Sequence, residues 1–202
     1  QITEENYLLI SGYIGPDDKN SAMNIAAFSQ TGLGLPDRDY YFKTDPATLK
    51  VQKAYQTFIK KIFTLTGDDS TTAEKKMWAV YNLEKNMAGS HRTNVQLRDP
   101  QSNYNKMSLA DMDKKMPAIG WKTLFDNLGF KTDSANVQQP MYYEKLNELL
   151  KSVPLDTWKD YLQFHSVKDW AGALSSDFVN ARFDYSKELS GQKQINPRWK
   201  RR

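Results

Sequence analysis

The chain has 202 residues, 39% of them hydrophobic, a net charge of +4 and no cysteine. That length can bury a sizeable core in one domain. The missing cysteines exclude disulfides and thiolate metal sites, and no stretch approaches the roughly 18 unbroken apolar residues of a membrane helix.

Residues 7–14, YLLISGYI, are aliphatic and aromatic with Leu8, Ile10 and Ile14 on one parity, and they end at the turn-forming GPDDKNS. AMNIAAFSQ at 22–30 alternates in the same way, which predicts two antiparallel strands across the 15–21 loop. Its alanines leave a helix open as the alternative. From Asp45 the period is helical. Asp45 reads as an N-cap with Pro46 at the first helical position, and Val51, Tyr55, Phe58, Ile59, Ile62 and Phe63 form one stripe up to Gly67.

Thr71 and Glu74 match a capping box for the next helix, whose apolar face holds Met77, Val80, Tyr81, Met87 and Ala88, with Glu84 at its margin. A polar interval covers 89–105. Ser108 caps a short helix ending before Pro117, and residues 121–130 form another that closes near Gly129. NVQQP at 136–140 reads as a short strand and 142–153 as an amphipathic helix broken by Pro154. A helical period then runs to Phe183, with a bend expected near His165. The fold class is therefore mainly α: a multi-helix lobe with a small antiparallel β-hairpin near the N-terminus.

The terminal segment KQINPRWKRR at 193–202 holds five basic residues and no acid, and without it the body is near neutral. It reads as a solvated chain end rather than a nucleic-acid face. Gln1 stands where an initiator Met would, and the first ten residues lack a basic start and a cleavage site. The expectation is a piece of a longer chain.

The residues offer no reactive centre. His91 and His165, the two histidines, lie 74 positions apart in no H-E-x-x-H arrangement, so both read as structural or solvated. The G-x-S-x-G nucleophile elbow is absent. The segment 32–41, GLGLPDRDYY, starts like a dinucleotide loop, but Asp37 takes the third glycine position and would repel a phosphate. Nor do Asp37 and Asp39 suit acid–base work, because Arg38 between them favours both carboxylates ionised. A structural corner is the better reading of Gly32, Gly34, Pro36, Asp37, Arg38, Asp39, Tyr40 and Tyr41. No catalytic or metal residue is assigned.

GPDDKNS at 15–21 followed by GLGLPDRDYY resembles the hallmark stretch of neprilysin-like zinc metallopeptidases, a family that includes bacterial oligoendopeptidases. The resemblance continues in order through LTG at 65–67, NLEKNMA at 82–88, RDPQSNYNKMSLADM at 98–112, VQQPMYYEKLNELL at 137–150, PLDTWKDYL at 154–162 and the final PRWKR. It implies two-lobed zinc endopeptidases, in which a helical lobe faces a catalytic lobe carrying the zinc ligands and restricts which peptides enter. The family's zinc motif lies beyond Arg202. Zinc is therefore expected in the longer parent and not in this segment, which alone is expected to be inactive.

On this reading residues 1–31 are a hairpin link and 32–202 an incomplete substrate-gating lobe. Its partners are peptide substrates and the C-terminal catalytic lobe of the same chain, with no nucleic acid and no membrane span. Vertebrate relatives are disulfide-bonded, so the lack of cysteine fits a bacterial member in the periplasm or at the cell surface. The alternative is a non-catalytic helical module that binds peptides or a protein through exposed Trp158, Tyr161, Trp170 and Trp199.

Overall fold

The computed structural model describes residues 4–195; Trp199 and the basic end of the tail lie outside them. The described residues are mainly helical with one small sheet, and they divide into two compact units.

The first unit comprises the described residues of Gln1–Leu33 together with Asn86–Val153. Its sheet is built from β1 (Glu4–Tyr7), β2 (Ile10–Asp17), β3 (Asn20–Ser29), β4 (Lys106–Ser108) and β5 (Ser134–Val137), in the order β1-β2-β3-β5-β4. The expected antiparallel pair is β2 and β3, with Gly12 opposite Phe28 and only residues 18 and 19 between the strands. The alanines of β3 extend rather than coil because Ala26, Ala27 and Phe28 pair in parallel with Ala135, Asn136 and Val137 of β5. That pairing spans more than a hundred residues of sequence, and no local pattern announces it.

Phe28 is fully buried, ringed by Trp121 at 5.1 Å, Phe125 at 5.6 Å and Tyr143 at 6.4 Å between ring centroids. These rings come from α5 (Trp121–Leu128) and α6 (Pro140–Ser152); α4 (Leu109–Lys115) precedes them, capped by the Ser108 hydroxyl as expected. The strand expected at 136–140 sits two residues earlier, because Pro140 opens α6 instead. The hydroxyls of Tyr142 and Tyr143 donate to the carbonyls of Leu9 and Ser29, so α6 is fastened to the sheet by polar tips as well as by apolar area.

The second unit comprises Gly34–Lys85 and the described residues from Pro154 on. It holds α1 (Asp39–Phe42), α2 (Pro46–Leu65), most of α3 (Ser70–Ser90), α7 (Leu155–Trp170) and α8 (Ser176–Ser190). The α2 stripe is buried as its spacing requires, with Phe58 stacked on Tyr185 at 5.4 Å and edge-on to Phe164 at 5.8 Å. The Asp45 carboxylate accepts from the Thr48 N–H at 3.0 Å, which makes it the cap read from the sequence.

Two expectations are corrected here. The α3 N-terminus is capped by Asp69, whose Oδ1 accepts from the Thr71 and Thr72 N–H groups, while Glu74 turns away to pair with Lys60 at 2.7 Å. Asp69, two residues earlier, uses both carboxylate oxygens: Oδ1 takes the two N–H groups and Oδ2 the Thr72 hydroxyl. And α7 runs through His165 without a break. The chain turns instead at 171–175, around Gly172, where an added Cβ would come within 2.9 Å of the Arg182 guanidinium.

Candidate functional site

The segment singled out in the sequence begins with Gly32, whose φ of 91° lies in the left-handed region. From Gly34 onward it belongs to the second unit. Pro36 is exposed. Asp37 accepts from the Asp39 N–H at 2.8 Å, closing a small turn before the single helical turn of α1. Asp39 is shared between Lys43 at 3.1 Å and Arg38 at 3.8 Å, and its hydrogen bond, then its charge, raises the Lys43 ammonium above its usual range. The Arg38 guanidinium also lies 5.5 Å from the Phe42 ring centre. Tyr40 is half-buried and Tyr41 fully buried.

Tyr41 leads to a group that sequence reasoning passed over. Its hydroxyl accepts from the N–H groups of Gly34 and Leu35 at 3.2 and 3.0 Å and donates to Oε2 of Glu84 at 2.8 Å. The other oxygen of Glu84, Oε1, accepts from the Tyr55 hydroxyl at 2.8 Å and lies 2.6 Å from Nε2 of His165. Glu84 and His165 are buried at 0% and 1% exposure. A carboxylate at that depth is tolerated only when its lone pairs are satisfied. Here α1, α2 and α7 each send one donor to α3. The Tyr185 hydroxyl of α8 donates to the Gly34 carbonyl at 3.3 Å and binds the fifth helix to the same point.

The imidazole of His165 packs on Tyr161 at 4.3 Å and Phe164 at 5.2 Å, and its Nδ1 is buried with no hydrogen-bond partner among the described residues. Contact with a carboxylate oxygen, which can only accept, calls for the hydrogen on Nε2, from which the ring donates to Glu84. The signal for this cluster was present in the sequence: an acidic residue on the apolar stripe of α3 has to find donors. What the sequence withheld was which residues supply them, since His165 lies 81 positions away.

Burial and the neighbouring Glu84 charge push the Tyr41 and Tyr55 hydroxyls well above the usual tyrosine range, and burial raises Tyr185 as well. The folded state therefore holds these protons more tightly than the unfolded chain does. Their contribution to stability is complete below about pH 10, where unfolded tyrosines begin to ionise, and drains away as the pH rises further. Melting temperatures measured from pH 8 to 11 are expected to fall above about pH 10, and Tyr55→Phe to flatten that fall.

The other histidine, His91, is buried edge-on to Tyr142 at 4.8 Å in the first unit. Of the aromatic residues proposed as an exposed surface, Trp158 and Tyr161 are buried, and Trp170 is 69% exposed. No helix among the described residues is long and apolar enough to cross a membrane.

The family model for peptidase family M13 matches residues 1–202. The chain belongs to peptidase family M13. Among M13 and related sequences it is 30% identical over 190 residues to mouse endothelin-converting enzyme-like 1, covering 91% of this chain and 24% of that protein. It is 29% identical over 208 residues to mouse membrane metallo-endopeptidase-like 1, covering 96% and 27%. The Mycobacterium tuberculosis zinc metalloprotease Zmp1 in its open state superposes with a TM-score of 0.85 at 28% identity, over 98% of this chain and 31% of that one. PepO from Lactobacillus rhamnosis shares the fold, with a TM-score of 0.82 at 20% identity. The chain thus spans about a quarter of the length of the curated relatives it matches.

The M13 relationship implies zinc, and the residues described here do not suit it. Among them no group of three or more His, Cys, Asp or Glu side chains is placed to hold a metal ion. His165, the histidine nearest a carboxylate, spends Nε2 on Glu84 within a shell of tyrosines. The Glu84 cluster is buried, and its carboxylate oxygens are taken up by Tyr41, Tyr55 and His165. Its chemistry is that of a fastening.

Proposed function

We propose that this M13 chain is a non-catalytic helical part of a zinc-dependent metalloendopeptidase, forming a wall of the chamber in which peptides are cut and limiting the size of what enters. The reading is supported by the family match along residues 1–202, taken with a side-chain set that offers no metal-binding group among the described residues. Zinc and the general base belong, on this reading, to a C-terminal lobe of the same polypeptide. Residues 1–31 serve as a hairpin link and 32–202 as the gating lobe. The 32–41 segment is a scaffold corner, a role supported by the number of backbone and hydroxyl bonds that converge on Gly34 and Tyr41. A bacterial periplasmic or cell-surface setting is proposed from the likeness to bacterial M13 peptidases, with which the absence of cysteine is compatible.

Two assays test this. The 202-residue chain supplied with zinc is expected to leave a fluorogenic peptide intact, whereas the longer protein cleaves it and loses that activity to a chelator. In the longer protein, a ladder of peptides sharing one cleavage sequence but extended at both ends is expected to show kcat/KM dropping sharply past a threshold length. A flat profile along the ladder overturns the chamber-wall role. Chelator-sensitive hydrolysis by the purified 202-residue chain overturns its non-catalytic assignment.

A further inference from the structure

The first half of α7 meets the loop between α2 and α3 through charge. Lys76 of α3 places its ammonium 2.9 Å from Asp68 Oδ2 in that loop and 3.5 Å from Asp160 Oδ1 on α7. The same ammonium lies 5.2 Å from the centre of the Phe63 ring of α2. The Lys76, Asp68 and Asp160 side chains are 25%, 22% and 20% exposed. Two carboxylates thus share one ammonium where little water screens the surplus negative charge. The neighbouring charges do not cancel it. Asp69 in the same loop spends its carboxylate on the α3 cap, Glu74 of α3 is turned to Lys60, and Asp156, one turn before Asp160 on α7, pairs with Lys159 at 2.9 Å. From the end of α2 come uncharged groups, Phe63 and the Thr66 hydroxyl, which accepts from the Gln163 amide of α7 at 3.3 Å.

We propose that Asp68, Lys76 and Asp160 form an acid-strengthened tie between α7 and the α2–α3 loop, which a single proton converts from an overcharged cluster into a matched ion pair. Asp160 takes that proton. It is the carboxylate farther from the ammonium, and the acidic Asp156 lies one turn away on its own helix. Burial, before any neighbouring charge, lifts its carboxyl above the usual carboxylate range, and the hydrogen bond to Asp68 lifts the Lys76 ammonium. The two shifts act in the same direction. A carboxyl raised by folding adds stability as the pH falls toward its unfolded value of about 4, and an ammonium raised by folding keeps its share until the pH climbs past about 10. With Asp160 neutral, Lys76 and Asp68 remain as equal and opposite charges, and carboxylate repulsion no longer pushes α7 from the loop. The hold of α7 on the second unit is thereby graded by pH between neutrality and about 4. It is independent of the chamber-wall reading, because no catalytic group takes part.

Hydrogen exchange read by mass spectrometry on the longer protein at pH 5 and pH 7, corrected for intrinsic exchange rates, tests the tie. Peptides covering the first half of α7 and the α2–α3 loop are expected to be at least about threefold more protected at pH 5 than at pH 7. Asp160→Asn, neutral at both pH values, is expected to bring protection at pH 7 up to the wild-type level at pH 5 and to erase the difference between the two. Lys76→Met leaves two carboxylates without their cation, so it is expected to lose protection at pH 7 and to recover part of it at pH 5. Equal wild-type protection at both pH values overturns the proposal, as does an Asp160→Asn protein that keeps the pH difference or is less protected than wild type at pH 7. A Lys76→Met loss that is the same at both pH values assigns the lysine to packing on Phe63 alone, and overturns it equally.

Discussion

Glu84→Ala is expected to destabilise the second unit by about 3–5 kcal/mol, the scale seen when one member of a buried charged network is deleted and its partners are stranded. The loss has a structural count behind it. The substitution removes the acceptor for the Tyr41 hydroxyl, the Tyr55 hydroxyl and His165 Nε2 at once, and none of the three can turn to water at this depth. Each stranded donor costs about 1–3 kcal/mol, less whatever the cavity recovers by collapse. Glu84→Gln tests the same idea more gently. Its amide keeps one accepting oxygen and places an N–H group where the carboxylate had accepted, so about 1–3 kcal/mol is expected. Urea unfolding followed by tryptophan fluorescence gives the totals. Hydrogen exchange locates them, because α2, α3 and α7 should lose protection while the β2–β3 hairpin of the first unit keeps it. A loss below about 1 kcal/mol for Glu84→Ala rules out the fastening role.

Why that cluster stayed partly hidden in the sequence follows from where each kind of information lies. Helices were legible because their signals are local: the α2 stripe from Val51 to Phe63 and the caps at Asp45 and Ser108 can be read within one or two turns. Short-range competition blurred other details. Asp69 and Thr71 are both good caps, and only the chain's entry into α3 decides between them. The α7–α8 break fell at Gly172 rather than near His165, because the histidine faces the core and its helix has no reason to bend there. Long-range pairing left no local trace at all. β4 is three residues long, β5 four, and the parallel bond between β3 and β5 is fixed by what packs over Phe28. Glu84 lies between these cases. Its position on an apolar stripe predicts that partners exist, while their identities depend on tertiary structure.

The same geometry explains why Gly34 has no substitute. Its φ is not in the left-handed region, so backbone freedom is not the reason. The reason is close approach: a Cβ built at this position overlaps the Tyr55 hydroxyl and lies 2.5 Å from Cζ of that ring and 3.0 Å from Oε1 of Glu84. An exposed side chain would swing aside. Tyr55 is completely buried, its hydroxyl is held by Glu84, and its ring packs at 5.2 Å on Tyr185 and 5.9 Å on Phe164. Gly34→Ala therefore has to move the 34–35 backbone off the Tyr41 hydroxyl or push Tyr55 off the carboxylate. Either route sacrifices a hydrogen bond in addition to strain, and about 3 kcal/mol or more is expected, at the upper end for overpacking. Tyr55→Phe alone costs about 1–2 kcal/mol by removing one donor from Glu84. Combined, the two substitutions should be less damaging than the sum of their separate effects, because the phenylalanine removes the overlapping oxygen. Relief stays partial, since Cζ remains within 2.5 Å of the new methyl. A double-mutant cycle on melting temperature or urea midpoint measures that coupling. Strict additivity would mean that Gly34 is chosen for something other than its contact with Tyr55.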